Sequence, residues 1–290
     1  MTQVKTIKKL NKMTIDELLE RYAAGFRDFR GINLTNADLT GKNLDDADFR
    51  RATLAGALLK GASLRAANLR EANLRATHFE DACLVEANLI GANLNQANLT
   101  RADLTRAGMR ASELVEANLT QVEMVEVNLS EAVLDRAILR EANMKDVILN
   151  RAKLIEADLT HANLESAVLT NTILSGAILE DANLIDAVLH GASLEEANLS
   201  RANLSRAKLI GVNLMNAALA ESNIRGASLS WTSLRGANLS KASLYRANLI
   251  WSNFSEADLT GAVLISANIN KTNFHNAVLD GAMMPEARRP

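Results

Sequence analysis

The sequence holds one cysteine, two prolines and few aromatic residues, 3% in all. One thiol, Cys83, cannot close an internal disulfide, and this cysteine usage suits a reducing compartment. We read Cys83 as buried or inert, with a free surface thiol as the alternative; its role stays open. Apolar residues make up 48% of the chain, so a core with so few rings must be narrow and built from leucine and alanine. Charge of one sign is also missing. A net charge of −2 gives no reason to expect a nucleic-acid-binding or nucleic-acid-mimicking surface over the whole molecule. No apolar run reaches the roughly 18 residues that a membrane span needs. Lys5, Lys8, Lys9 and Lys12 are not followed by the apolar stretch of a secretory signal. The cytoplasm is therefore the expected location.

What the chain does have is a register. From Phe29 to Met284 a large apolar residue, usually leucine, falls at every fifth position without insertion or deletion. Two places earlier stands a small residue, usually alanine, as at Ala37, Ala47, Ala57 and Ala67; Thr77, Val122, Val127, Val147, Thr172, Ser222 and Thr232 are its substitutes. A period of five fits neither a helix nor a long strand. It needs a chain that changes direction after every unit, with the large and small residues pointing in and the other three out. Four units would make a coil of twenty residues, and stacked coils would pair their backbones in parallel. Asn or Asp just before the leucine, as at Asn68, Asn73 and Asp103, supplies turn-type side-chain bonding. Glycine clusters at the end of the unit, as at Gly56, Gly91 and Gly191, which puts a bend there.

Ahead of the repeat, Thr14 and Glu17 have capping-box spacing, and Ile15, Leu18, Leu19 and Tyr22 form one helical stripe that stops near Gly25. A short helix over Thr14–Ala24 would cover the open end of the first coil; a mobile partner-binding helix is the alternative. The expected organisation is a basic arm and capping helix over 1–26, the repeat body over 27–284 and a tail over 285–290.

The motif small–Asn/Asp–Leu–polar–any, as in Ala202–Arg206, resembles that of the pentapeptide-repeat family across nearly the whole chain. The opening Asp16-Glu17-Leu18-Leu19 and the closing Gly281-Ala282-Met283-Met284-Pro285 are similar to cytosolic cyanobacterial members. The resemblance implies an all-β fold, a right-handed quadrilateral parallel β-helix with the N-terminal helix as its cap; the 52 units, four to a coil, make about 13 coils stacked at strand spacing. It also implies two non-enzymatic roles. One is a protein-interaction scaffold or regulator. The other is a DNA-mimicking modulator of a type II topoisomerase. Those relatives are acidic throughout and dimerise through a C-terminal helix that this chain lacks.

Outward residues twenty apart should stack in columns, and three departures from uniformity mark candidate surfaces. Between Glu113 and Glu196 there are 16 acidic residues against five basic ones, while Arg201–Arg246 holds seven basic residues against Glu221. Such segmentation is either compositional drift or complementarity to a partner. Ile148, Val168 and Val188 place an apolar stripe where Asn or Asp usually sits. They suit a ladder as partly exposed residues, or else a docking surface. Trp231 and Trp251 stand one coil apart in the same unit position, with Ile210, Tyr245 and Ile250 near them. Tryptophan is enriched in interaction hot spots; stacking for local stability is the alternative.

Catalytic chemistry is not indicated. The four histidines are scattered, no Cys/His cluster has metal spacing, and no phosphate-binding loop is present. We expect no cofactor and no metal. The expected partner is another protein, with a homodimer through the C-terminal coil end as one form, and neither direct nucleic-acid binding nor a membrane.

Overall fold

The computed structural model describes residues 13–286, so the basic arm 1–12 and tail residues 287–290 lie outside the described residues. The chain divides into two compact units, Met1–Ala142 and Asn143–Pro290.

The first unit opens with helix α1, Ile15–Ala23. Thr14 caps it, its hydroxyl accepting from the Glu17 amide at 3.2 Å. The reciprocal half of the capping box does not form. The Glu17 carboxylate instead accepts from Arg21 one turn on, at 2.6 Å. Leu18 is fully buried. The Tyr22 hydroxyl lies 2.8 Å from Asn43 Oδ1 and 3.0 Å from the Asp45 carbonyl, with the Arg27 guanidinium 3.8 Å from its ring centroid. These contacts place α1 against the first turns of the repeat. A solvent-open hollow of about 540 Å³ remains beside it, lined by Ile15, Asp16, Leu19, Asp38, Thr40 and Lys42.

The repeat answers the question of where every backbone N–H goes. In Asn93–Ala97 of the first unit, Asn93 N donates back one coil to Ala72 O at 3.0 Å, and Leu94 N donates forward to Glu113 O at 2.7 Å. Gln96 N donates to Val115 O at 2.9 Å, and Ala97 N closes a turn onto Leu94 O at 3.0 Å. The fifth amide, Asn95 N, donates to the side-chain oxygen of Asn93 at 3.0 Å. The second unit repeats the scheme, with Ser205 N on Asn203 Oδ1 at 3.1 Å. Where Asn or Asp precedes the leucine, as at Asn93 and Asn203, its side chain therefore satisfies the one amide that the backbone leaves unpaired.

The expected all-β, right-handed quadrilateral parallel β-helix is not what this pattern builds. Among the described residues there is no β-strand and no sheet, only isolated parallel bridges twenty residues apart, such as Asn73↔Asn93 and Asn183↔Asn203. One residue per unit makes a bridge, and two later the chain turns. At the second turn residue the backbone is left-handed in unit after unit, with φ of +57° at Arg101 and +59° at Arg201. A strand needs consecutive extended residues, and a positive φ every fifth residue prevents that. The architecture is turns joined by single bridges around a core, with α1 as the one regular element described.

The inward positions hold that core. In both units the leucines and alanines of the register are buried, as Leu94, Ala117, Leu159 and Ala197 show. Where a hydroxyl replaces alanine it finds a partner in the core. Thr77 donates to Leu54 O at 2.8 Å and Thr172 to Leu149 O at 2.7 Å, each one coil back, while Ser112 donates to Met109 O at 2.7 Å. In the second unit the burial ends near Ala267: Ile269, Phe274 and Met284 are half-exposed, and Leu279, an inward position, is exposed.

Candidate functional site

The second unit brings the sequence-derived candidates onto one side of the repeat. Each stretch from one turn to the next presents seven residues. Tyr245 and Arg246 form one turn, Asn248 makes the bridge, and Ile250 and Trp251 form the next turn. Twenty residues earlier the same places hold Arg225, Gly226, Ser228, Ser230 and Trp231. Ile148, Val168, Val188 and Lys208 continue the bridge column through Ser228 and Asn248. Lys208 follows directly on Val188, so the apolar stripe ends in a cation.

The two tryptophans stack, with ring centroids 5.1 Å apart and planes 10° from parallel. Trp231 is 62% exposed and Trp251 45%. Both stand at the left-handed position, with φ of +63° and +61°. That conformation costs an L-residue about 1–2 kcal/mol, and Asn, Asp or Gly bears it most easily. From the next coil the Lys271 ammonium lies 4.2 Å from the Trp251 ring centroid. Tyr245 carries two guanidinium groups, Arg225 at 4.9 Å and Arg246 at 5.1 Å. Toward the preceding coil the tryptophan column offers only Gly211, where the space a Cβ would fill is open. Ile210 is exposed beside it, whereas Ile250, Tyr245, Ile148, Val168 and Val188 are half-buried.

Charge is arranged differently from the segmentation that composition suggests. At the left-handed position ions pair from coil to coil. In the first unit Arg101 meets Asp81 at 2.7 Å, and Arg136 meets Glu116 at 3.0 Å. In the second, Arg206 meets Asp186 at 2.6 Å, and Arg201 binds both Glu180 and Asp181. Hydrogen bonds from the arginines hold the Asp81, Asp181 and Asp186 carboxyls below their usual range, and Arg201 is raised by the same contacts. Part of the basic stretch thus neutralises the end of the acidic one. This ladder is visible as opposite charges twenty residues apart, a signal that counting charge by segment passes over.

A second relation at this position also escapes a count by residue type. Asn36, Asn171 and Asn216 are each followed twenty residues later by a glycine. A Cβ on Gly56, Gly191 or Gly236 would stand 2.4, 2.5 or 2.6 Å from the side-chain oxygen of that asparagine. Elsewhere, Cys83 is half-buried, its sulfur accepting from Arg65 at 3.7 Å, and His190 Nδ1 is buried without a hydrogen-bond partner.

The family model for pentapeptide repeats (8 copies) matches the chain in overlapping segments from 28–65 to 257–288. The chain belongs to the pentapeptide-repeat family. Among solved structures, this pentapeptide-repeat protein is similar to HetL from the cyanobacterium Nostoc sp. strain PCC 7120, a protein involved in heterocyst differentiation regulation. The two are 32% identical, over 94% of this chain and 98% of HetL, with a TM-score of 0.28. Rfr23 from the cyanobacterium Cyanothece 51142 is 36% identical over 32% of this chain and 63% of its own, with a TM-score of 0.31. QnrB1, a plasmid-mediated fluoroquinolone resistance protein, is 13% identical over 86% and 94%, with a TM-score of 0.27. At such TM-scores the superpositions carry no argument about site geometry. No curated protein sequence matches the chain. Among the described residues no helix is long and apolar enough to cross a membrane, and no group of His, Cys, Asp or Glu could hold a metal ion.

Proposed function

We propose that this pentapeptide-repeat protein is a non-enzymatic, cytoplasmic scaffold or regulator that docks a partner protein on the Trp231–Trp251 face. One observation carries the reading: two stacked tryptophans stand exposed at left-handed positions that polar residues, glycine and alanine fill elsewhere. Folding the repeat does not require a ring there. Large amphipathic rings with half their surface in water are what interface hot spots use. Ile210 beside the stack and Tyr245 at the neighbouring turn extend the face, and the half-buried stripe of Ile148, Val168 and Val188 leads into it. The topoisomerase reading is not carried further, because this face is cationic and Asp181 and Asp186 are bonded to arginines. Self-association through the exposed inward residues of the last described coil is a separate element of the proposal, read out by light scattering.

The test is recovery of partners from a lysate of the source organism with wild-type protein and with the Trp231→Ala/Trp251→Ala variant. The variant should keep its far-UV spectrum and lose at least one partner. Identical recovery by a folded variant would reject this face.

A further inference from the structure

The stretches 205–211, 225–231, 245–251 and 265–271 lie one coil apart and contain no Asp or Glu. They carry five cations, of which Arg206 is bonded to Asp186. The other four meet no carboxylate in their own columns. Lys208 lies between Val188 and Ser228, Arg225 between Ser205 and Tyr245, Arg246 between Gly226 and Ser266, and Lys271 follows Trp251. Elsewhere Arg51, Arg101, Arg136, Arg201 and Lys241 answer an acid one coil away. Here Arg225, Arg246 and Lys271 sit over rings instead, at 4.2–5.1 Å from the centroids, Lys208 lies within electrostatic reach of the arginine-bonded Asp186, and all four are exposed. A face with stacked rings, four cations and no acid is complementary to a negatively charged, ring-bearing ligand.

The number of open ring faces separates the classes of ligand. A single-stranded nucleic acid needs successive open platforms for successive bases. This stack offers one: Trp251 has ring partners in Trp231 and Lys271, Tyr245 has Arg225 and Arg246, and Trp231 has Trp251 alone among the described contacts. The remaining face of Trp231 looks toward the open space at Gly211. One planar side chain fits that arrangement, with carboxylates around it.

Building on the docking reading above, we propose that this face binds an acidic segment of the partner protein. A planar side chain of that segment continues the stack beside Gly211, and its carboxylates meet Lys208, Arg225, Arg246 and Lys271.

Both tryptophans of the chain lie in this face, so their emission reports on it directly. A random Glu–Tyr copolymer, titrated with excitation selective for tryptophan, should change the emission saturably, and a Lys–Tyr copolymer should not. Arg225→Gln with Arg246→Gln should weaken the apparent affinity about tenfold, and so should salt at about 0.5 M. Lys208→Gln with Lys271→Gln is the second variant, should the first not fold. An equal response to both copolymers, tighter binding of oligothymidylate than of Glu–Tyr, or affinity indifferent to both charge variants would overturn the proposal. If the tryptophan variant loses its native partner while the Glu–Tyr copolymer leaves wild-type emission unmoved, docking at this face stands and the acidic segment falls.

Discussion

Gly56 and Gly61 differ in one respect that a stability measurement can isolate. Both are left-handed, with φ of +66° and +62°. At Gly61 nothing lies within 4 Å of where a Cβ would stand, whereas at Gly56 the Asn36 oxygen is 2.4 Å away. For Gly61→Ala two terms oppose each other. The left-handed backbone costs an alanine about 1–2 kcal/mol. Restricting the unfolded chain returns about 0.4–1 kcal/mol. The net change is a destabilisation of about 0–1.6 kcal/mol, consistent with the natural alanines at left-handed positions 66, 76 and 111. Gly56→Ala carries the same two terms plus the displacement of Asn36. Forcing that side chain off its rotamer adds about 0.5–1.5 kcal/mol. The midpoint of urea unfolding should therefore fall further for Gly56→Ala than for Gly61→Ala. Asn36→Ala combined with Gly56→Ala should recover the difference, giving a coupling of about 1 kcal/mol in a double-mutant cycle. Equal effects at Gly56 and Gly61, or no recovery on removing Asn36, would refute the contact between coils as the reason for the asparagine–glycine succession.

Two further predictions concern the helix and the ion ladder. Tyr22→Phe removes the hydroxyl that meets Asn43 and Asp45; it should cost about 1 kcal/mol and raise hydrogen exchange of the α1 amides more than elsewhere. The depressed carboxyls of Asp81, Asp181 and Asp186 contribute stability that is fully present above their ordinary pKa of 3.8 and is lost as pH falls through their lower folded values. The urea midpoint should thus hold steady in mild acid and drop below that pH. Replacing Asp81 and Asp181 with Asn should flatten the drop; an undiminished drop would locate the acid sensitivity elsewhere.

The register was legible in the sequence because burial permits few residues at each inward place. Leucine and alanine alternate with polar residues strictly enough to assign inside and outside along the repeat, and the Thr14 cap with its apolar stripe located α1. The stacking of Trp231 on Trp251 followed from their spacing, since a coil of twenty residues brings equal places together. Strand formation did not follow. Whether five residues make a strand or a bridge between turns depends on backbone angles, and these were set by the hydrogen bonds of the whole coil. Those bonds hold residues as unlike as Trp231, Glu196 and Lys241 at a positive φ that none favours locally. The ion pairs and the asparagine–glycine contacts share that twenty-residue spacing, but which of these neighbours come within bonding or contact distance was decided by the packed side chains. The sequence by itself determined which residues face the core. Only the stacking of coils decided which outward residues meet, and so which cations on the tryptophan face are left for a partner.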